Sequence, residues 1–168
     1  RNAEEELRRG RMAEVLIIGY GNPLRGDDGA GWQAAEMLKD RIRDERVEIV
    51  RSHQLTPEMA EAISRARKVI FIDADCDNRE GQIAIRNVVP EHGSEVCTHQ
   101  LTPGVLLGAA RKLYGGSAEG MLVTMGAGSF EYGSELSEAV RTALPLLVER
   151  VREMCGEWLS AAGNSYHL

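Results

Sequence analysis

The chain has 168 residues, 43% of them hydrophobic, enough to bury one core of ordinary size without disulfide or metal staples. Its formal net charge of -6 argues against a nucleic-acid binder, which would show a basic face able to displace phosphate counterions. The three cysteines, Cys76, Cys97 and Cys155, are odd in number and form no C-x-x-C pair, so they read as reduced thiols rather than as a disulfide framework or a thiolate zinc site.

No apolar run approaches the roughly 20 residues of a membrane helix. The N-terminus also lacks the apolar stretch of a signal peptide. A cytoplasmic protein with neither membrane nor nucleic-acid partner is expected. Residues Arg1 to Met12 are mostly charged and read as a flexible extension before a native start at Met12, with residues 13–168 forming a single domain.

Val15 to Tyr20 is a β-branched and aliphatic run bounded by glycines, the pattern of a strand buried on both faces. Asp27-Asp28-Gly29 opens a helical pattern with Trp32, Ala35, Leu38 and Ile42 on one side, so strand, turn and helix make the first half of a βαβ unit. Val47 to Val50 is a second strand. Thr56-Pro57 then starts a helix, with a hydroxyl at the N-cap and proline at the first helical position. Lys68 to Asp73 is a third strand, apolar until its last residue.

Gly81 to Val89 reads as a fourth strand separated from the third by about seven residues, too few for the dozen or so of a parallel crossover, so it should run antiparallel. A helix from Thr102 to Tyr114 leads to a fifth strand, Met121 to Ala127. The last helix spans about Leu136 to Trp158, with Val140, Leu144, Leu147, Val151 and Met154 at helical spacing and a kink expected at Pro145. Alternating strands and helices predict an α/β sheet covered on both faces.

This topology places Asp28 and Asp73 at the carboxyl ends of the first and third strands. The helix at Thr102 is expected to begin at that same edge in order to run back to the base of a parallel fifth strand, which brings His99 there too. The ten residues from Val89 to Thr98 can span about 33 to 36 Å when extended, enough for the climb.

Several motifs have simpler readings that must be weighed. Gly19-Tyr20-Gly21-Asn22-Pro23-Leu24 approaches the dinucleotide fingerprint, but Leu24 replaces its third glycine. Asp27 and Asp28 would also oppose a pyrophosphate at the helix N-terminus, and the second strand ends Val50-Arg51 instead of in an acidic ribose ligand. Helix capping accounts for one of the two aspartates and leaves the other free for chemistry. Asp73-Ala74-Asp75-Cys76-Asp77-Asn78 starts like a calcium loop, yet Asn78 stands where glycine is needed and Ala84 where glutamate is needed. Asp75 and Asp77 therefore read as a solvated acidic turn, and Cys76 as small filler within it. Asp73 differs because it follows directly on Val69-Ile70-Phe71-Ile72, and a carboxylate there needs a partner.

The pentapeptide His-Gln-Leu-Thr-Pro occurs twice, at residues 53–57 and 99–103. Capping explains Thr-Pro and a hydrophobic staple explains the leucine, but neither explains His-Gln. One imidazole converging with two carboxylates would make a site of three protein ligands with positions open to water or substrate. H-E-x-x-H and G-x-S-x-G are both missing, so the common zinc-protease and serine-hydrolase routes lack support.

The stretch from Ile18 to Gly31, Ile-Gly-Tyr-Gly-Asn-Pro-Leu-Arg-Gly-Asp-Asp-Gly-Ala-Gly, resembles the opening motif of the hydrogenase maturation protease family. The resemblance continues through Ile72-Asp73-Ala74 and Thr98-His99-Gln100-Leu101, and covers about Val15 to Val151. It implies a single-domain three-layer α/β/α fold with a twisted, mostly parallel five-stranded sheet. It further implies a metal set of Asp28, Asp73 and His99, and an endopeptidase that removes the C-terminal extension of a nickel-iron hydrogenase large-subunit precursor. On this resemblance nickel arrives with the substrate and is the recognition signal. A monomer is expected. Substrate contact is assigned to His53 and Gln100. For His53, an alternative metal geometry or capping of its own helix stays open, and no residue is assigned the proton transfer. The first pentapeptide and Gly128-Ser129-Phe130-Glu131-Tyr132-Gly133 resemble the branch serving soluble, NAD-linked hydrogenases. The competing readings are a nickel-binding maturation chaperone that cuts nothing and a nucleotide-binding module.

Overall fold

In a computed structural model, residues 12–92, 101–133 and 135–164 are described. Five strands, β1 (Ala13–Tyr20), β2 (Val47–Ser52), β3 (Ala66–Asp75), β4 (Ile83–Val88) and β5 (Glu119–Gly126), form one sheet in the order β2-β1-β3-β5-β4. β1, β2, β3 and β5 run parallel, and β4 lies antiparallel to β5, as its short connection to β3 requires. Among the described residues four α-helices flank the sheet: α1 (Ala30–Arg41), α2 (Met59–Ser64), α3 (Pro103–Tyr114) and α4 (Glu138–Asn164).

Alternate residues of the central strands feed two cores. Val15, Ile17, Ile70, Ile72, Val123 and Met125 face α1 and α4, and Leu16, Ile18, Val69, Phe71 and Leu122 face α2 and α3. Both faces are covered, which is why β1 and β3 read as unbroken apolar runs. The arrangement is the expected three-layer fold with one antiparallel strand.

The helices depart from expectation at three places. A 3-10 turn, Gly26–Gly29, precedes α1, so Asp27 and Asp28 stand ahead of the α-helix and neither caps it. Trp32 is only half-buried, and the Arg51 guanidinium lies over its ring, 4.4 Å from the centroid. α2 begins at Met59 with no side-chain cap, whereas in the second pentapeptide Thr102 Oγ1 accepts from the Val105 N–H at 3.2 Å. α4 is one helix with Pro145 inside it, where the sequence predicts the kink.

α3 differs most in placement. It was expected to start at the carboxyl edge of the sheet, but its first turns lie against the segment after β4: the Glu91 N–H donates to the Gly104 carbonyl at 2.9 Å. A Cβ on Gly104 would sit 2.7 Å from the Val89 carbonyl oxygen, and one on Gly108 2.1 Å from that of Glu91. Leu107 packs over Gly120, near the amino end of β5, and Gly116 meets Ser64 at the end of α2. Two glycines four residues apart let the strand-to-helix segment touch the helix backbone, so α3 lies lower on the sheet than the argument from connections required. The ten-residue climb is not needed to reach it. His99 and Gln100 lie outside the described residues, as do residues 1–11, on which the reading of a flexible extension falls.

Candidate functional site

The loop after β1 is shaped by close contacts with α1 and its preceding turn. A Cβ on Gly31 would stand 2.3 Å from the Ile72 carbonyl oxygen and 2.5 Å from that of Tyr20, so only glycine lets α1 rest this low on β1 and β3. Gly21, at φ +140, passes so near the Asp28 backbone that a Cβ would fall 1.8 Å from its carbonyl oxygen. These contacts hold the 3-10 turn at the carboxyl edge of β1 and β3.

The two aspartates of the turn have different surroundings. Asp27 is fully buried. Its carboxylate accepts the N–H groups of Ser137 at 2.7 Å, Gly128 at 2.8 Å and Ser129 at 3.1 Å. Burial would raise its pKa, but the backbone N–H groups of Ser137, Gly128 and Ser129 outweigh burial and hold it below the ordinary carboxylate range. Further bonds join the same loops: the Gly26 N–H to the Gly133 carbonyl at 2.8 Å, the Gly133 N–H to that of Leu24 at 2.8 Å, and the Asp27 N–H to that of Ser129 at 2.9 Å. Asp27 thus ties the first motif to the loop after β5 and to the start of α4.

Asp28 is half-buried and accepts the Asn22 N–H at 2.8 Å. Its charge acts on Asp73, the carboxylate near the end of β3. Asp73 accepts the Ala74 N–H at 2.8 Å and a hydrogen bond from the Tyr20 hydroxyl. Burial is the main influence on Asp73 and raises its pKa. The two hydrogen bonds pull it down, and the charges of Asp28 and Asp75 push it up again, leaving it at about 6. Tyr20 is pushed upward in turn, first by burial and then by Asp73. Paired acids at a strand edge, one of them titrating near neutrality, are a feature that ordinary surface turns do not need.

The sequence-predicted residues are therefore brought together in part. Asp28 and Asp73 stand within electrostatic reach at the carboxyl edge. His53 is exposed just beyond β2. Among the described residues no three His, Cys, Asp or Glu side chains form a cation-sized cluster. The two carboxylates are hard oxygen donors that could supply part of a cation's shell, and nitrogen or sulfur donors would have to join them to suit a borderline metal.

Asp75 belongs to the turn, as expected. Its carboxylate accepts the Asn78 N–H at 2.9 Å, the Asn78 side-chain amide at 2.7 Å and the Asp77 N–H at 3.1 Å, and Cys76 is exposed. Sequence reasoning missed Tyr20, whose hydroxyl meets Asp73; the available signal was a polar aromatic at a strand end one step beyond the Gly19–Ile72 pairing. A nucleotide phosphate finds the turn before α1 already holding two carboxylates, which weighs against that competing reading.

No family model and no curated protein sequence matches the chain. Solved structures do. The NiFe hydrogenase maturation protease HycI from Thermococcus kodakarensis KOD1 superposes with a TM-score of 0.68 at 25% identity, covering 95% of this chain and 99% of that one. The hydrogenase 2 maturation peptidase from a Thaumarchaeota archaeon gives 0.64 at 25% identity, covering 85% and 98%. The hydrogenase maturating endopeptidase HybD from E. coli gives 0.71 over 86% and 93%, and at 24% identity shows likeness of fold. Among the described residues no helix is long and apolar enough to cross a membrane. The resemblance carried by the motifs around Asp28 and Asp73 is met by the fold over nearly the whole of its neighbours' lengths, and the chain is similar in structure to solved hydrogenase maturation proteases, which are peptidases.

Proposed function

We propose that the protein is the endopeptidase that removes the C-terminal extension of a nickel-iron hydrogenase large-subunit precursor after nickel insertion, with nickel as the recognition signal. The observation that carries this reading is the acid pair: Asp28 and Asp73 interact at the carboxyl edge with acceptor positions to spare, while the adjacent Asp27 is consumed by backbone donors. Asp28, Asp73 and His99 are the proposed contacts to the nickel carried by the precursor, with Gln100 and His53 touching the peptide around it.

Nickel held there would polarise the scissile carbonyl or activate a water. The protein's own part is orientation. Asn22 fixes one oxygen of Asp28, and Tyr20 and Ala74 fix Asp73. Above about pH 6 Asp73 is a carboxylate and can serve as a ligand; below it the proton competes with the cation. The chain acts in the cytoplasm as a monomer on this reading. The likeness of the first pentapeptide and the loop after β5 to the branch serving soluble, NAD-linked hydrogenases suggests the class of precursor.

Mass spectrometry of nickel-loaded and nickel-free precursors incubated with the protein tests the proposal. A shorter product confined to the nickel-loaded sample is expected, lost with His99→Ala. Tight association with the loaded precursor but no shortening would replace the peptidase with a maturation chaperone.

A further inference from the structure

The acid pair is flanked by a row of polar side chains that runs across the sheet. Tyr20 pairs with Ser52 on one side, and the Gly19–Ile72 pairing puts it beside Asp73 on the other. Asp73 in turn pairs with Thr124 of β5. With the two-residue period of a strand, Tyr20, Asp73 and Thr124 share the face that carries Ile18, Phe71 and Leu122 below them. The row therefore caps one of the two cores at its mouth.

The donors of this row are divided. The Thr124 hydroxyl is drawn to Asp75 and to the Asn78 side-chain amide, which lies 3.5 Å from it. Asp73 has the Tyr20 hydroxyl and the Ala74 N–H. A carboxylate has about four acceptor positions, so two remain for a cation shared with Asp28. The Tyr20 ring packs against the core on the α2 and α3 side, so its hydroxyl is held on a rigid strand end.

Building on the reading of Asp28 and Asp73 as contacts to substrate-borne nickel, we propose that Tyr20 is a positioning residue: its hydroxyl clamps Asp73 and directs the unbonded carboxylate edge to the metal. Groups that hydrogen-bond metal ligands fix ligand orientation, and losing one typically weakens binding by about tenfold to a hundredfold. Without the phenol, the hydrogen bond that Asp73 keeps among the described residues is the one from its neighbour Ala74, and the carboxylate is held less firmly. The hydroxyl touches a ligand and not the scissile bond, so its role is orientation.

The test is calorimetric titration of nickel chloride into the untagged full chain, comparing the parent with Tyr20→Phe and Tyr20→Leu. Loss of the hydroxyl is expected to weaken nickel binding about tenfold or more in both variants, with Phe no better than Leu. The parent should also show a tyrosine ultraviolet difference band on nickel addition that Asp73→Asn abolishes, a readout independent of how either Tyr20 variant folds. Parent-like affinity in Tyr20→Phe with loss only in Tyr20→Leu would make the ring a packing element and overturn the inference while leaving the nickel contacts intact. No nickel binding by the parent would remove the proposed contacts themselves, and the inference with them.

Discussion

Asp27 and Asp28 are neighbours in the chain and opposites in the fold. Asp27 is fully buried and surrounded by backbone donors from the loop after β5 and the start of α4. Asp28 is half-buried, receives one backbone N–H from Asn22, and faces the charge of Asp73. The first arrangement stabilises the carboxylate and builds structure. The second holds two acids close together, at a cost in stability that a protein keeps only where the site needs it.

The largest effect should follow from breaking the Asp27 knot. Asp27→Ala leaves three partly buried N–H groups without the acceptor that the buried carboxylate supplies, and is expected to cost about 3 kcal/mol. Thermal denaturation should register this as a fall of roughly 10 °C. Hydrogen exchange should quicken first at residues 128–133, the loop the aspartate pins.

Asp73→Asn should go the other way. With a folded-state pKa of about 6 against an ordinary 3.8, Asp73 binds its proton more tightly in the fold than in the unfolded chain. Its contribution to stability is therefore complete below about pH 4 and is lost as pH rises to about 6. The loss approaches roughly 3 kcal/mol at 1.4 kcal/mol per unit. Asp27 and Asp75, both held low by hydrogen bonds, act with the opposite sign, so the informative quantity is the difference between parent and variant. Urea denaturation should show Asp73→Asn more stable than the parent at pH 7 by about 1 to 2 kcal/mol once the altered hydrogen bonds are allowed for, with little advantage at pH 4. Cleavage should be lost.

Removing the exposed His53 side chain should have the smallest effect. His53→Ala is expected to leave stability within about 0.5 kcal/mol. If the residue touches the peptide, KM for the precursor should rise with kcat kept; equal KM would assign it to the surface.

The sequence made the framework legible because burial on both faces writes itself into β1 and β3 as continuous apolar runs, and because the linker before β4 is too short for a crossover. The edge position of Asp73 followed from the same pattern. Telling Asp27 from Asp28 did not, since both are acids in one turn and the choice depends on partners about a hundred residues away. The pentapeptides show the same limit: identical residues give a Thr102 cap in one copy and an uncapped start at Met59 in the other. α3 was misplaced because a connection argument ignores oblique packing, although Gly104 and Gly108 at helical spacing were a readable sign of close backbone approach. In the sequence Tyr20 reads as the end of a strand, and its bond to Asp73 depends on register across β1 and β3.

The central claim is that the acid left free in this turn is a working residue and not a structural one. Measuring precursor cleavage by Asp28→Asn at a temperature where its fold is shown intact tests this most directly. The account predicts a variant that melts within a few degrees of the parent and leaves the nickel-loaded precursor uncut. Parent-like cleavage by Asp28→Asn would contradict it.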